Sequence, residues 1–424
     1  MRQRFGDAFS EKASNEPSVM TEVTILQVVP RLDAGGSELA TVEITEALAR
    51  AGASSLVATE GGRLARAITQ AGGEVIELPV ASKNPLTMLA NARRLARLID
   101  ERGVSLVHAR SRAPAWSALI AARRTRRPFV TTYHGAYGAS GPFKATYNSV
   151  MVRGDRVIAN SLYTAQLILS RHSEVASRLR VIYRGVDGAA FDPVALPPGP
   201  VARLREDWGV PQGAKIVLLG ARLTSLKGQR DLIAAAALLA ESRALDGAVI
   251  VLAGDSPGRD AYRAELEELI ARHGLGDRVK LVGHCRDMPV AFRAAHVTVI
   301  ASTVPETFGR TSVEAQAMGC PVIVPDLGAL PETIVAAETD PALFTGWLVP
   351  PRNVEALAER IGLVLKLPEA ERAVIGARAT AHVAAKFELA QMQQKTLEVY
   401  DELLGTDLAS RFLRPAAFTA EDTL

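Results

Sequence analysis

The sequence predicts an α/β protein with two doubly wound parallel-sheet domains and a cleft between them. Short apolar, β-branched runs alternate with longer Ala- and Leu-rich amphipathic segments, a proline-rich stretch interrupts this alternation in mid-chain, and the alternation then resumes. Continuous apolar strands separated by helices are typical of parallel sheets covered on both faces. The length of 424 residues also favours two domains, because a usual domain has ~150 residues.

The first half of the chain contains predicted strands over residues 23–29, 55–58, 74–78, 105–109, 129–133 and 156–160. Helical segments follow them, for example the one that begins near Ser37 and those over 85–101 and 113–124. The stretch PVALPPGP over 193–200 suits neither a helix nor a central strand, so we predict an interdomain linker there.

The second half repeats the pattern, with predicted strands over 215–220, 247–254, 278–283, 296–302, 321–325 and 346–349. Closing helices are predicted over 353–365, 369–385 and 388–404. We therefore predict two domains, the first over 23–195 and the second over 205–385. A flexible extension over 1–22 precedes them, and a helix over 386–404 that packs back towards the first domain and a loosely held tail over 405–424 follow. Ligands of such sheets bind at the carboxyl ends of the strands, which here face the cleft.

Composition excludes several classes of protein. Apolar residues make up 48% of the chain and charged residues 22%, which excludes a disordered or collagen-like chain. Cys285 and Cys320 are the two cysteines, so a disulfide framework and a four-cysteine zinc site are excluded. The sequence has no apolar run of transmembrane length, and its first residues lack the apolar stretch of a signal peptide. We therefore expect a cytoplasmic protein.

The net charge of +3 conceals a strongly basic segment. Residues 81–184 contain 18 Lys and Arg against 4 Asp and Glu, with the densest cluster at 123–127. Such an imbalance predicts an anionic partner, either a membrane surface, an acidic substrate or nucleic acid. The sequence shows no zinc-finger, RRM-like or KH-like pattern, so we expect no nucleic-acid partner.

Two glycine-containing loops follow predicted strands. The first, DAGGSE over 33–38, lacks the G-x-G-x-x-G pattern of a dinucleotide site, but Gly35 and Gly36 precede a helix whose N-terminus attracts anions. The alternative is a tight turn with Ser37 as N-cap. The second, GARLTSLKG over 220–228, places Arg222 and Lys227 where a diphosphate would bind; the alternative is a pair of ordinary loop cations.

The richest motif is PETFGRTSVEAQAMGCPVI over 305–323. Gly309 to Thr311 would supply free N–H groups at a helix start. Glu306 precedes that helix and Glu314 lies two turns into it, and carboxylates readily accept hydrogen bonds from sugar hydroxyls. The alternative is a helix-terminal acid and a solvated glutamate.

Together these motifs resemble retaining glycosyltransferases of the GT-B fold, which has two Rossmann-like domains. The Glu-x7-Glu spacing followed by AMGCPVI, the upstream GARLTSLKG and the GGSE loop resemble the group 1, family 4 type, whose members build lipopolysaccharide, capsule and glycolipid. The resemblance spans about residues 23–404. It implies transfer of a mannose- or glucose-type hexose from a UDP- or GDP-sugar to a glycan or lipid-linked acceptor, with residues 81–184 as a candidate contact to the inner membrane surface.

The resemblance also implies roles for individual residues. Arg222 and Lys227 would clamp the diphosphate, Glu306 would bind the donor sugar, and Glu314 would bind the ribose. His134 would lie beside the transferred sugar. Further donor contacts would come from the loops that contain Gly35, Gly36 and Cys285 and from the backbone N–H groups of Phe308, Gly309, Arg310 and Thr311.

Two positions stay open within the resemblance. Arg184, in the segment RGVD, stands where many relatives carry Asn, so the polar contact expected there is changed. His108, at the end of a predicted strand, has either a site role or a structural, capping role.

No two aspartates stand two positions apart, so the sequence lacks an Asp-x-Asp metal motif. We therefore expect neither a metal nor an organic cofactor, and we expect fixed cations and helix N-termini to neutralise the departing diphosphate. The resemblance implies retention of configuration by front-face attack. The alternatives are a non-hydrolysing nucleotide-sugar epimerase and a catalytically silent nucleotide-sugar-binding protein; a nicotinamide oxidoreductase is disfavoured because its fingerprint is absent.

Overall fold

The computed structural model describes residues 22–33, 35–135, 137, 141–255, 258 and 260–414. Within these ranges the strands form two parallel sheets. The seven-stranded sheet has the order β3-β2-β1-β4-β5-β6-β7 and consists of β1 Thr24–Val28, β2 Ser54–Thr59, β3 Glu74–Glu77, β4 Leu106–Ala109, β5 Phe129–Tyr133, β6 Arg156–Ala159 and β7 Leu179–Val181. The six-stranded sheet has the order β10-β9-β8-β11-β12-β13 and consists of β8 Lys215–Gly220, β9 Ala248–Ala253, β10 Val279–Gly283, β11 Val297–Val299, β12 Val322–Pro325 and β13 Gly346–Val349.

Both sheets reverse their winding direction beside the first strand of the domain. In the first sheet Leu26 pairs with Leu56 on one side and Val107 on the other. In the second sheet the corresponding reversal lies between β8 and β11. Parallel strands that are buried on both faces read as continuous apolar runs, which explains why the sequence pattern predicted them. The doubly wound α/β fold is confirmed.

Helices cover both faces of each sheet. In the first half of the chain they are α1 Gly36–Arg50, α2 Ala65–Gln70, α3 Pro85–Glu101, α4 Arg112–Arg124, α5 Pro142–Asn148 and α6 Leu162–Leu169. The later helices are α7 Pro198–Asp207, α8 Gln229–Glu241, α9 Asp260–Arg272, α10 Met288–Ala294, α11 Arg310–Ala317, α12 Val354–Leu365, α13 Glu369–Lys386, α14 Leu389–Leu404 and α15 Leu408–Leu413. None of the helices in the described ranges has the length and apolar character needed to cross a bilayer.

The last two helices return to the first domain. Leu397 of α14 and Phe412 of α15 are buried in one cluster with Ile25 of β1. Tyr400 of α14 is fully buried, and its hydroxyl lies 2.6 Å from Nδ1 of His108, whose Nε2 lies 2.7 Å from the Thr132 hydroxyl. His108 therefore has the structural role: it connects α14 to the first sheet.

The chain crosses between the domains twice, at 185–187 and at 387–389, and we call these segments the double crossing. Val186 N–H donates to the Phe387 carbonyl at 2.8 Å, and Leu389 N–H donates to the Val186 carbonyl at 3.0 Å. A Cβ atom on Gly185 would lie 2.4 Å from Cα of Leu389, so the two segments approach each other more closely than any side chain would allow. The crossings are thus bonded side by side.

The structure corrects three expectations. The stretch 193–200 is not all linker, because Pro198 begins α7 and its missing N–H costs nothing in the first turn of a helix. Residues 405–414 are not a loosely held tail, since α15 buries Leu408 and Phe412. The short, half-buried edge strand β7 was not predicted. Residues 1–21 and 415–424, which include most of the predicted extension, lie outside the described residues.

Candidate active site

A cavity of about 660 Å³ lies between the two domains, where the carboxyl ends of the strands face each other. It is within the usual size range of small-molecule sites. Most of the site residues expected from the sequence line it: Gly35, Gly36, His134, Arg222, Lys227, Glu306, Phe308, Gly309 and Arg310. Residues separated by more than 250 positions therefore share one cavity.

The centre of the cavity wall is an ion pair between two predicted site residues. Nζ of Lys227 lies 2.6 Å from Oε1 of Glu306, and the Ser302 hydroxyl donates to the same carboxylate oxygen. The Glu306 backbone is also held, because its carbonyl accepts from Ala329 N–H at 2.9 Å. The carboxylate is therefore fixed while its side chain stays partly exposed to the cavity, at 20%.

The loop after β8 is shaped by a glycine. Gly228 has φ +70°, and a Cβ atom there would lie 1.8 Å from the Ala301 carbonyl oxygen, so the turn beside Lys227 requires glycine. The Thr303 N–H donates to the Leu226 carbonyl at 3.0 Å, and Gln229 Nε2 donates to the Arg222 carbonyl at 3.0 Å. The backbone on both sides of the two cations is thus pinned to the neighbouring loops.

The start of α11 carries an ion-pair network that joins the two domains. Nε of Arg310 donates to Glu314 Oε1 at 2.5 Å, and its Nη1 donates to Glu43 Oε1, on α1, at 3.1 Å. Burial raises the pKa of Glu314 against the opposing effect of Arg310. Gly309 precedes the first residue of the helix and offers no side-chain cap, which leaves the first N–H groups of the helix available to an anion.

Three residues that were expected to contact the sugar nucleotide do not line the cavity. Glu314 lies behind Arg310 in the network just described. Thr311 directs its hydroxyl to the Gly220 carbonyl at 3.5 Å, and Cys285 directs its thiol to the Asp287 carbonyl at 3.4 Å. The roles of these three residues therefore stay predictions.

Two nitrogen atoms beside the cavity are buried and have no hydrogen-bond partner among the residues that the structure describes. They are Nε2 of His134 and Nη2 of Arg184. Burial, with added repulsion from Arg184, Arg110 and His108, holds the pKa of His134 well below its usual value, so the imidazole is neutral at pH 7. His134 can therefore polarise or shape a bound group but carries no charge of its own.

The domains touch at the rim of the cavity through Thr307 and Glu332. The Thr307 hydroxyl donates to the His134 carbonyl at 3.1 Å, and the Thr164 hydroxyl donates to the Thr307 carbonyl at 3.3 Å. The Glu332 carboxylate accepts from the first N–H groups of α6 at 2.8 and 2.6 Å, and from the Tyr183 hydroxyl at 2.8 Å. These contacts hold the cleft in the shape seen here.

Sequence reasoning missed three residues that join the domains beside the site: Glu43 and Asn160 of the first domain and Thr307 of the second. Asn160 lines the cavity and its amide contacts Thr307. The signal for Thr307 was its place inside the 305–323 motif. Glu43 carried no signal, because its partner is 267 positions away. Among the described residues, no three His, Cys, Asp or Glu side chains are grouped so as to hold a metal ion.

Family models match both halves of the chain. The model described as "Glycosyl transferases group 1" matches residues 201–381, and the model described as "Glycosyltransferase Family 4" matches residues 34–189. The two matches contain the second-domain cations, both glutamates of the Glu-x7-Glu motif and the Gly35–Gly36 loop.

Similar proteins are glycosyltransferases. D-inositol 3-phosphate glycosyltransferase from Mycolicibacterium smegmatis is 31% identical over 322 residues, which are 75% of this chain and 66% of that protein. Other such enzymes are matched over 65% or 52% of their length, so the chain spans between half and two thirds of these relatives. A glycosyltransferase from Rickettsia africae is 34% identical, with a TM-score of 0.82 over 91% of this chain and all of that one.

A second solved structure, Anabaena Alr3699/HepE in complex with UDP-glucose, is 26% identical, with a TM-score of 0.77 over 90% of this chain and 100% of that one. The fold, the family models and the Rickettsia relative agree with the resemblance seen in the motifs. The chain belongs to the group 1, family 4 glycosyltransferases of the GT-B fold.

Proposed function

We propose that the protein transfers a hexose from a nucleoside diphosphate sugar, UDP-glucose being the first candidate, to an acceptor hydroxyl with retention of configuration and without a metal ion. The observation that carries the proposal is the Lys227–Glu306 pair in the wall of the interdomain cavity, with Arg222 and the uncapped start of α11 on the same cavity. These groups match the two halves of such a donor, its diphosphate and its sugar. The UDP-glucose complex of the Anabaena relative supports the choice of nucleotide.

The cations have a chemical task at the bond that breaks. As the sugar–oxygen bond lengthens, positive charge develops on the sugar ring and negative charge on the departing diphosphate. Arg222, Lys227 and the α11 N-terminus would stabilise the diphosphate by preorganised electrostatics. In this role Lys227 would serve the phosphate and Glu306 together, and Glu306 would accept hydrogen bonds from sugar hydroxyls.

The ribose role of Glu314 requires a rearrangement. Its carboxylate is occupied by Arg310 here, so binding of a ribose would require that carboxylate to be shared or the pair to open. The same rearrangement would release Arg310 from the network that includes Glu43 of the first domain. Donor binding and domain contact would then be linked through one arginine.

For the acceptor we propose a hydroxyl-bearing glycan, phosphorylated polyol or lipid-linked sugar of cell-envelope synthesis, lipopolysaccharide core included, used at the inner face of the cytoplasmic membrane. The relatives that act on D-inositol 3-phosphate support a phosphorylated polyol. The positive charge of the basic segment 81–184 supports contact with an anionic membrane surface. Phe143 and Leu86 within this segment are 93% and 79% exposed and would supply apolar contacts to such a surface.

A thermal-shift panel of UDP- and GDP-sugars in EDTA tests the donor. We expect one sugar nucleotide to raise the unfolding midpoint, because a ligand that binds only the native state stabilises it by mass action. Incubation of that donor with an acceptor, followed by NMR of the anomeric proton, tests transfer and retention. Loss of binding or turnover in EDTA would overturn metal independence. Formation of an isomerised sugar nucleotide from donor alone would favour the epimerase, and binding without any product would favour the silent binder.

A further inference from the structure

The N-terminus of α6 in the first domain is capped by a carboxylate of the second domain. Glu332 accepts hydrogen bonds from the backbone N–H groups of Leu162 at 2.8 Å and Tyr163 at 2.6 Å, one on each carboxylate oxygen. The helix has its own N-cap, Ser161, but that hydroxyl accepts from the N–H of Thr164 and leaves the two preceding N–H groups to Glu332. Carboxylates are favoured at helix N-termini, and charge-assisted hydrogen bonds are stronger than neutral ones, so this contact holds the two domains together.

The same residue also contacts the chain beside the double crossing. The Glu332 carboxylate accepts from the hydroxyl of Tyr183, two residues before the first segment, at 2.8 Å. Burial and this hydrogen bond raise the pKa of Tyr183, so its hydroxyl keeps its proton and remains a donor at pH 7. The Glu332 backbone carbonyl accepts from Nζ of Lys386, one residue before the second segment, at 3.0 Å. Glu332 is therefore bonded to α6 and to both places where the chain leaves one domain for the other.

Glu332 is also tied to α11, the helix that begins at the cavity. It lies in a short 3-10 turn, Leu330–Thr333. The hydroxyl of Thr333 lies 2.8 Å from the hydroxyl of Ser312, and the Thr333 carbonyl accepts from Nε2 of Gln316 at 2.8 Å. Ser312 and Gln316 are both buried residues of α11. Because the turn is bonded to this helix, the contact of Glu332 with the first domain also fixes the place of the α11 N-terminus.

We propose that Glu332 is a positioning residue for the transfer reaction, because it holds the second domain and the start of α11 against the first-domain wall of the cavity. Glu332 does not line the cavity, so it acts through the arrangement of the domains and not by contact with a substrate. For its effect on turnover this role rests on the proposed transferase function, whereas its effect on the domain arrangement needs no substrate. Without the carboxylate, the first N–H groups of α6 would bond to water and the cleft would loosen.

The reaction needs both walls of the cavity at a fixed separation. Arg222 and Lys227, the proposed contacts to the diphosphate, belong to the second domain, and His134 and Gly36 line the opposite wall. A loosened cleft would keep the second-domain contacts to the sugar nucleotide but would displace the opposite wall. Misplacement of reacting groups by about 1 Å can lower a rate ~100-fold. Loss of Glu332 should therefore lower the turnover number more than it raises the KM for the sugar nucleotide.

Small-angle X-ray scattering without ligand and steady-state kinetics, on the full chain of wild type, Glu332→Gln and Glu332→Ala, test this role. We expect both variants to have a larger radius of gyration than wild type. With the donor identified by thermal shift, we expect the turnover number to fall about tenfold or more and the KM for that donor to change less than about threefold. Wild-type kinetics in both variants would overturn the role in the reaction, and a lower turnover number at an unchanged radius would exclude action through the domains.

Controls separate this role from a loss of folding and from failure of the proposed function. Glu338→Gln removes the same charge from a second-domain residue that is bonded to Arg360 and absent from the cavity lining, and we expect wild-type scattering and kinetics. Should the Glu332 variants unfold, Tyr183→Phe removes one donor and keeps the ring, and we expect smaller changes in the same direction; its equality with wild type would then overturn the role. Wild-type protein that transfers no hexose from any sugar nucleotide would overturn the transferase proposal, and the scattering comparison would still decide the domain contact.

Discussion

Lys227 and Glu306 pair with each other in the cavity wall when no sugar nucleotide is bound. Each side chain neutralises the other across 2.6 Å, so neither charge is left unpaired in the cavity wall. Arg222 has no ion-pair partner among the described residues and is available to a diphosphate. A donor would thus meet one cation that is available at once and one that is shared with a carboxylate.

We predict that Arg222→Ala and Lys227→Ala each lower the turnover number about a hundredfold or more, because loss of one preorganised donor to the developing charge costs about 2.7–4 kcal/mol. Steady-state kinetics with the donor identified by thermal shift would measure this. Arg230→Ala is the matched control, since that arginine lies on α8 and is bonded to Glu265 outside the cavity. Near-normal turnover in both cavity variants would remove their assigned role.

The site residues that could be predicted from the sequence are those that lie together in short, continuous motifs. Glu306, Gly309 and Arg310 lie in one continuous segment, and their neighbourhood follows from the strand-to-helix turn itself. The supporting contacts depend on how two domains meet. Neither the bond from Arg310 to Glu43 nor the burial of Arg184 has a local sequence signature, because each arises from packing between distant parts of the chain.

Among the elements, every interior strand was predicted, and of the four edge strands β3, β10 and β13 were predicted and β7 was not. The interior strand β9 is fully buried, and the apolar run 247–254 predicted it. The edge strand β7 has three half-buried residues, too few for a periodic signal. In α15 the pair Leu408 and Phe412, four residues apart, was a helix signal that the polar composition of the last twenty residues concealed.

The double crossing yields a prediction at this scale. Gly185→Ala should lower the free energy of unfolding by about 1–3 kcal/mol, because the added methyl group overlaps the backbone of Leu389 and this strain exceeds the entropic gain of replacing glycine. Urea unfolding would measure the loss. Gly188→Ala is the control, since its Cβ would meet only Oε1 of Glu388 at 3.9 Å. Equal losses in both variants would contradict tight packing of the crossings.

At the scale of the molecule, the basic segment 81–184 also carries the strongly exposed side chains of Phe143 and Leu86. We predict that the protein binds vesicles rich in anionic lipid and that salt weakens this binding by screening. Phe143→Ser should weaken it about tenfold or more, because the exposed aromatic ring that would enter the bilayer interface is lost. Vesicle co-sedimentation would test this. Leu343→Ser, at a 60% exposed position of the second domain, is the control. Equal binding to neutral vesicles would refute the membrane contact.

Buried histidines make the whole fold sensitive to acid. Burial lowers the pKa of His296 to about 4, whereas the unfolded chain takes up that proton near 6.5. The unfolded state therefore binds more protons as the pH falls, and stability is lost between about pH 6.5 and 4. We predict that His296→Gln reduces this loss by on the order of 1–3 kcal/mol, measured as the difference in urea unfolding at pH 7 and pH 4.5. An unchanged pH dependence would exclude His296 as a contributor.

The return of α14 and α15 to the first domain has a consequence for how the chain can be divided. A cut in the loop between residues 188 and 196 separates the two sheets, yet the piece with the second sheet keeps the helices that cover Ile25 and Ile44 of the other piece. Each fragment alone would display an apolar face meant for its counterpart. We therefore expect the two fragments to reassemble when they are expressed as separate polypeptides, as the parts of a split reporter do. Neither fragment is expected to be stable as an independent domain.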